Sequence, residues 1–231
     1  MIIKTHKVLS QFIQNKKILH SNSLGKDSVL ALQWLVDYAK IKNITSLFYK
    51  FMAHHPDDDR YLNYLKKRFP SVEFVVEHDA VELSWITTGI YQSPIDVIKT
   101  YNHADYISFD RTLMTKEFFK KGEFDYICRG DSKYESFARR TKFHQKGMVF
   151  NDCIFPLAMM SKDEVIGLIE KIGLKLHPCY KFTKSTHDTI SYYKMRMDMI
   201  ARPEYYKRVR EFYPLMELDK YRWEKLIKGK K

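Results

Sequence analysis

Residues 17 to 40 read KILHSNSLGKDSVLALQWLVDYAK, and they set the architecture. Lys17 to Asn22 is a short apolar-centred run, the size of a buried strand. It runs directly into a polar, glycine-containing turn at residues 23 to 28. From Asp27 to Lys40 the apolar residues fall at Val29, Leu32, Trp34, Leu35, Val36 and Ala39, a spacing that predicts an amphipathic helix with one buried face. Strand, glycine turn and helix in that order make the opening of an α/β fold.

The alternation continues outward. Thr45 to Met52 predicts a second strand and Asp57 to Phe69 a second helix closed by Pro70. Val72 to Glu77 predicts a third strand, Phe124 to Cys128 a fourth and Met148 to Phe155 a fifth. Residues 79 to 122 carry turn signals and short helical patterns. Tyr134 to Lys142 reads as helical, and Ser161 to Ile172 as a helix with Ser161 and Glu164 in capping-box spacing and Gly173 as its stop. Such alternation predicts a parallel sheet of about five strands with helices on both faces. From Thr183 the pattern is helical and rich in Arg, Lys and Tyr, broken at Pro203 and Pro214. The expected organisation is an α/β domain over residues 1–182 and a C-terminal helical extension over 183–231, packed on the core.

Ligands of open parallel sheets lie beyond the carboxyl ends of the strands. The turn Ser23-Leu24-Gly25-Lys26-Asp27-Ser28 is therefore the first candidate site. A helix start leaves amide groups unpaired and carries partial positive charge, so it favours oxyanions. Gly25 is free to take positive φ, Ser23 and Ser28 add hydroxyls, and Lys26 adds a compact cation. Asp27 is expected to cap the helix or to hold a Mg²⁺ that screens phosphates. A Walker A loop is excluded, because His20 stands where its first glycine belongs and Asp27 follows the lysine. No GxGxxG occurs, which removes a dinucleotide fingerprint.

Ser23 to Ser28 resembles the SGGxDS signature of the PP-loop ATP pyrophosphatases, in the variant found on the branch that includes the phosphoadenosine phosphosulfate (PAPS) reductases. Leu24 departs from the first glycine. Gly130 to Arg140, GDSKYESFARR, is similar to that branch's G-x-R-x-x-E-S-x-x-R stretch. Gly130, Glu135, Ser136 and Arg139 match it. Ser132 stands where an Arg is usual, with Lys133 and Arg129 as substitutes for its charge. Phe155-Pro156-Leu157 and His177-Pro178-Cys179-Tyr180 resemble further segments in the same order. The tail looks more like those of phage-borne members.

The resemblance implies a HUP/Rossmann-like fold and an adenine nucleotide held by residues 23–28, Gly130, Glu135, Ser136, Arg139 and Arg140. Lys26, Asp27 and Arg139 would act in catalysis. It implies backbone near Ala53 reading the adenine, although the usual turn there is replaced by His54-His55-Pro56-Asp57-Asp58-Asp59. That stretch is an acidic helix start, with metal ligation as the alternative. The implied reaction is attack of an acceptor on the α-phosphorus of ATP with Mg²⁺, giving an adenylyl product and pyrophosphate. The alternatives are PAPS reduction by a thiol and a non-catalytic nucleotide-binding module working with a DNA-binding or DNA-modifying partner.

Composition bounds these readings. Of 231 residues, 40 are Lys or Arg and 28 Asp or Glu, a net charge of +12 that suits a polyanionic partner such as a nucleotide or nucleic acid. Cys128, Cys153 and Cys179 are the only cysteines and show no CxxC or zinc spacing. No thiol follows Cys179, which weakens reduction, and the sparse set suits a reducing compartment. No run approaches about 18 apolar residues, so the expectation is a cytoplasmic protein with no membrane partner. Self-association as a homodimer stays open.

Overall fold

The computed structural model describes residues 2–51, 53–79, 82, 96, 111–182 and 192–227. The expected turns and short helices between 83 and 110 lie outside these residues, apart from Asp96. The chain divides into two compact units. One comprises residues 1–49, 59–77 and 117–177, and the other residues 50–58, 78–116 and 178–231.

The first unit contains the sheet. Its elements begin with α1 (His6–Phe12), a short helix that the sequence reading missed, capped by the Thr5 hydroxyl. Then come β1 (Ile18–Asn22), α2 (Lys26–Gln33) with a wider turn over Trp34–Tyr38, β2 (Ile44–Lys50), α3 (Asp58–Arg68) and β3 (Glu73–His78). They are followed by α4 (Arg111–Lys121), which belongs to this unit from Glu117 onward, β4 (Tyr126–Cys128), α5 (Phe137–Lys146), β5 (Val149–Phe150), β6 (Cys153–Ile154) and α6 (Lys162–Lys171). The capping box of α6 forms as expected. Glu164 Oε2 accepts from the Ser161 amide at 2.6 Å, and the Ser161 hydroxyl accepts from the Glu164 amide at 3.3 Å.

The sheet has six strands in the order β3-β2-β1-β4-β6-β5. β1 pairs parallel with both β2 and β4, in register Ile18↔Ile44 and Ile18↔Tyr126, and β4 pairs parallel with β6. The expected fifth strand is in fact an antiparallel hairpin, β5 paired with β6. Asn151 and Asp152 form its turn at φ 50° and 58°. Consecutive left-handed residues match the twist of a two-residue hairpin, and Asn and Asp tolerate that conformation.

Strand alternation gives the sheet two apolar faces. Ile18, Ile44, Cys128 and Ile154 point into the main core, with Val29, Leu32 and Leu35 from α2 and its extension and Val165 and Ile169 from α6. Leu19, Leu47 and Ile127 point the other way, against Phe118 and Phe119 of α4. Helices therefore cover both faces, as the near-continuous hydrophobic strands predict.

The second unit holds the C-terminal helices α7 (Tyr192–Ala201), α8 (Pro203–Phe212) and α9 (Met216–Arg222), the last running on into a wider turn over Trp223–Ile227. Pro203 starts α8 at the first helical position, and Pro214 follows its end, as the breaks in the pattern indicate. Met195, Met199, Tyr205, Val209, Tyr213 and Met216 form this unit's own apolar cluster, together with Ala53. No helix among the described residues is long and apolar enough to cross a membrane.

Candidate functional site

The chain runs from β1 to its neighbour β2 and then to β3, and later returns to place β4 on the other side of β1. The gap between the C-terminal ends of β1 and β4 is a topological switch point, where crevices form in open α/β sheets. Residues 23–28 leave β1 there, and residues 129–136 leave β4 beside them.

The loop is built from its own polar groups. Asn22 Oδ1 accepts from the Leu24 amide at 2.8 Å. The Ser28 hydroxyl donates to the Gly25 carbonyl at 3.0 Å and lies 3.1 Å from the Ser23 hydroxyl. These bonds fold the loop back on the first turn of α2. Two expectations are corrected. Gly25 caps α2 with ordinary extended backbone, φ −78°, and the left-handed residue is Leu24 at φ 57°. A Leu in that conformation costs about 1–2 kcal/mol. Its side chain is buried, which returns about 1.5–3 kcal/mol and holds the turn. Asp27 is not the cap. Its carboxylate pairs with Lys26 Nζ, with the nearer contacts at 2.6 and 2.5 Å. The amides of residues 26 to 28 belong to the first turn, where helix geometry provides no intrahelical acceptor.

Beneath the loop lies a layer that the sequence reading missed. His20 is fully buried in β1, with Nε2 2.8 Å from the Ser28 carbonyl and Nδ1 3.0 Å from the Ser46 hydroxyl. A carbonyl only accepts, so Nε2 carries the proton and Nδ1 accepts from Ser46. Asn22 Nδ2 donates to the same Ser46 oxygen at 3.1 Å. Burial pushes the His20 pKa down to about 4, against a smaller opposing effect of the bond to Ser28. The imidazole is therefore neutral and rigidly tautomeric, and it ties β1 and β2 to the first turn of α2. The exclusion of a Walker glycine at position 20 was the only signal of this role.

Gly130 joins the second motif to the first. A Cβ there would lie 2.6 Å from the Asp27 carbonyl carbon, 2.7 Å from its oxygen and 2.8 Å from the Ser28 nitrogen. Only glycine lets the strand-end backbone after β4 approach α2 this closely. Ser132 is buried, and its hydroxyl donates to the Met160 carbonyl at 2.6 Å. It is a turn-builder at the place where the related motif has an arginine. Arg129 Nε lies 2.9 Å from Asp131, and Arg139 bridges Asp131, at 3.2 Å, and Glu135. The Arg139 fork is thus oriented by two carboxylates, as expected for Glu135 and with Asp131 added. The Ser136 hydroxyl caps α5 by accepting from the Arg139 amide at 3.2 Å. Arg140 lines a different pocket, which no residue of 23–28 lines.

Of the 54–59 stretch, Asp59 falls in the first unit, and residues 54–58 fall with Ala53 in the second. Ala53 is buried in the apolar cluster there. The amide of Asp57 donates to His55 Nδ1 at 3.1 Å, and His55 Nε2 pairs with Asp198. Arg202 bonds Asp57 at 2.6 Å and lies 3.5 Å from Asp198. Both ring nitrogens of His55 are thus engaged in a buried ion network. Cys128 and Cys179 are fully buried and Cys153 half-buried. Burial pushes the Cys128 thiol well up and the Cys153 thiol up.

No curated protein matches the chain. Among solved structures it resembles an NH3-dependent NAD synthetase from Campylobacter jejuni, with a TM-score of 0.49 and 14% identity over 98% of this chain and 93% of the other, a likeness too distant to bear on mechanism. The family described as the phosphoadenosine phosphosulfate reductase domain matches residues 17–209, which take in the loop, the Gly130 approach and the Arg139 cluster. The chain belongs to the phosphoadenosine phosphosulfate reductase domain family, whose match spans the loop at the switch point and the motif packed on it.

Proposed function

We propose that the protein binds ATP at residues 23–28 and catalyses adenylyl transfer to an acceptor. The acceptor's nucleophile bonds to the α-phosphorus, the bond from that phosphorus to the bridging oxygen breaks, and pyrophosphate leaves with the electron pair. What the chain contributes is a fixed array of donors for the charge that grows on the leaving group. The first-turn amides of α2 and the Lys26 ammonium are that array, and the network of His20, Ser46 and Ser28 keeps it from rearranging. Asp27 suits Mg²⁺, which takes one or two carboxylate oxygens and completes its shell with phosphate and water. When bound, the ion would neutralise phosphate charge, and Asp27 would exchange Lys26 for it. Arg139, aimed by Asp131 and Glu135, is the further cation of the site.

The observation that carries this reading is the contact of Gly130 with the backbone of Asp27 and Ser28. It makes the two motifs one structure at the switch point. Thiol-dependent PAPS reduction is less well supported, because Cys128 and Cys179 are fully buried and the Cys128 and Cys153 thiols are held protonated.

The test is pyrophosphate release from ATP and Mg²⁺ across candidate acceptors, beside calorimetric nucleotide affinity. Asp27→Ala is expected to lower turnover on the order of a hundredfold or more. Gly130→Ala, which forces the loop backbone apart, is expected to weaken nucleotide binding and to destabilise the fold by about 1–3 kcal/mol. Absence of affinity for every adenine nucleotide would overturn the proposal.

A further inference from the structure

An open pocket of about 750 Å³ lies in the first unit, lined by Lys4, Lys133, Tyr134, Arg140, Thr141 and His144 among others. Three of these six are permanent cations and no carboxylate lines the pocket. Phe137, Arg140, Thr141 and His144 are spaced i, i+3, i+4 and i+7 along α5, so they form one stripe on one face of that helix. Phe137 is 81% exposed and Tyr134 50% exposed. Beside this stripe α5 is anchored by Phe143, which is buried against Phe150 and Phe155. Phe137, Arg140, Thr141 and His144 are all exposed, so the core does not use this stripe. A large aromatic left in water at a helix start contributes nothing to folding, and here it stands one turn from a guanidinium.

We infer that this stripe binds a single-stranded nucleic acid segment, independently of the phosphate loop. Lys4, Lys133 and Arg140 would take backbone phosphates, while Phe137 and Tyr134 offer ring faces on which unpaired bases stack. Lys133 Nζ already lies 5.0 Å from the Tyr134 ring centroid, which places a phosphate-binding cation beside a stacking platform. An acidic peptide would match the cations but would leave the exposed rings unexplained. A duplex hides its base faces, so only its phosphates could be used. The net charge of +12 supports the same class of partner.

The experiment is fluorescence anisotropy of a labelled ten-residue oligothymidylate with the full chain, in the absence of any mononucleotide, so that its outcome is separate from that of the loop reading. With about three phosphate contacts the slope of log affinity against log salt is expected near −2, a loss of about 20-fold between 50 and 200 mM salt. Phe137→Ala, at a site too exposed to disturb folding, is expected to weaken binding about fivefold or more. Lys133→Ala is expected to make the salt slope shallower by about 0.7. The inference is overturned if Phe137→Ala binds as tightly as the parent chain, if a duplex of equal length binds as well as the single strand, or if polyglutamate displaces the oligonucleotide at equal charge.

Discussion

His20 shows how one side chain links stability to the candidate site. Its folded pKa of about 4 lies below the value near 6.5 of an exposed histidine. The unfolded chain therefore takes up a proton that the folded chain refuses as the pH drops below about 6.5. The stabilisation is complete above that pH and is lost as the pH falls towards about 4. The shift corresponds to about 3 kcal/mol. Urea unfolding at pH 7 and pH 4.5 should show the loss, and in His20→Leu this part of the pH slope should disappear. Protonation would also break the acceptance from Ser46, so nucleotide affinity should weaken over the same window. Leu24 belongs to the same scale. Its left-handed backbone is tolerated because its side chain is buried, so the missing glycine of the signature does not open the turn.

At the scale of elements, two junctions carry most of the argument. The strand ends of β1 and β4 meet at Gly130, and α7 meets α8 at Arg202. Arg202 bridges Asp57 and the fully buried Asp198, which also holds His55. Removing one partner of a buried ion network leaves uncompensated charge, which costs about 3–5 kcal/mol. Arg202→Met should lower the unfolding free energy from denaturant titration by that order, and the double variant with Asp198→Asn should recover part of the loss. If Arg202→Met were neutral, the acidic start of α3 would have to be held by other groups. The α5 stripe and the α6 capping box show the converse. The capping box was readable as a pattern of four residues, whereas the stripe was not, because nothing in its spacing tells a core face from a solvent face.

For the molecule as a whole, the disposition of the thiols is a test of chemistry. Each unit holds a fully buried cysteine, Cys128 in one and Cys179 in the other, and Cys153 in the first is half-buried. Native protein should react slowly with a thiol reagent, with Cys153 first, and all three cysteines should react at once in denaturant. Rapid native labelling of Cys179 would reopen thiol-based reduction. The net charge of +12 likewise belongs to the whole chain, and the structure gives part of it an address on α5 and the residues before it.

The sequence by itself determined the α/β class, the order of the strands along the chain, the phosphate-loop candidate and its partner motif. Each is written in local spacing: apolar runs of strand length, helical periodicity, and a glycine turn between them. Only the tertiary structure decided that β4 lies beside β1, that Gly130 therefore presses on Asp27, that the expected fifth strand is a hairpin, and that His20 and Ser46 brace the loop from below. Those facts depend on which distant segments share a neighbour. Hydrophobic patterning shows that a residue is buried but not what it is buried against.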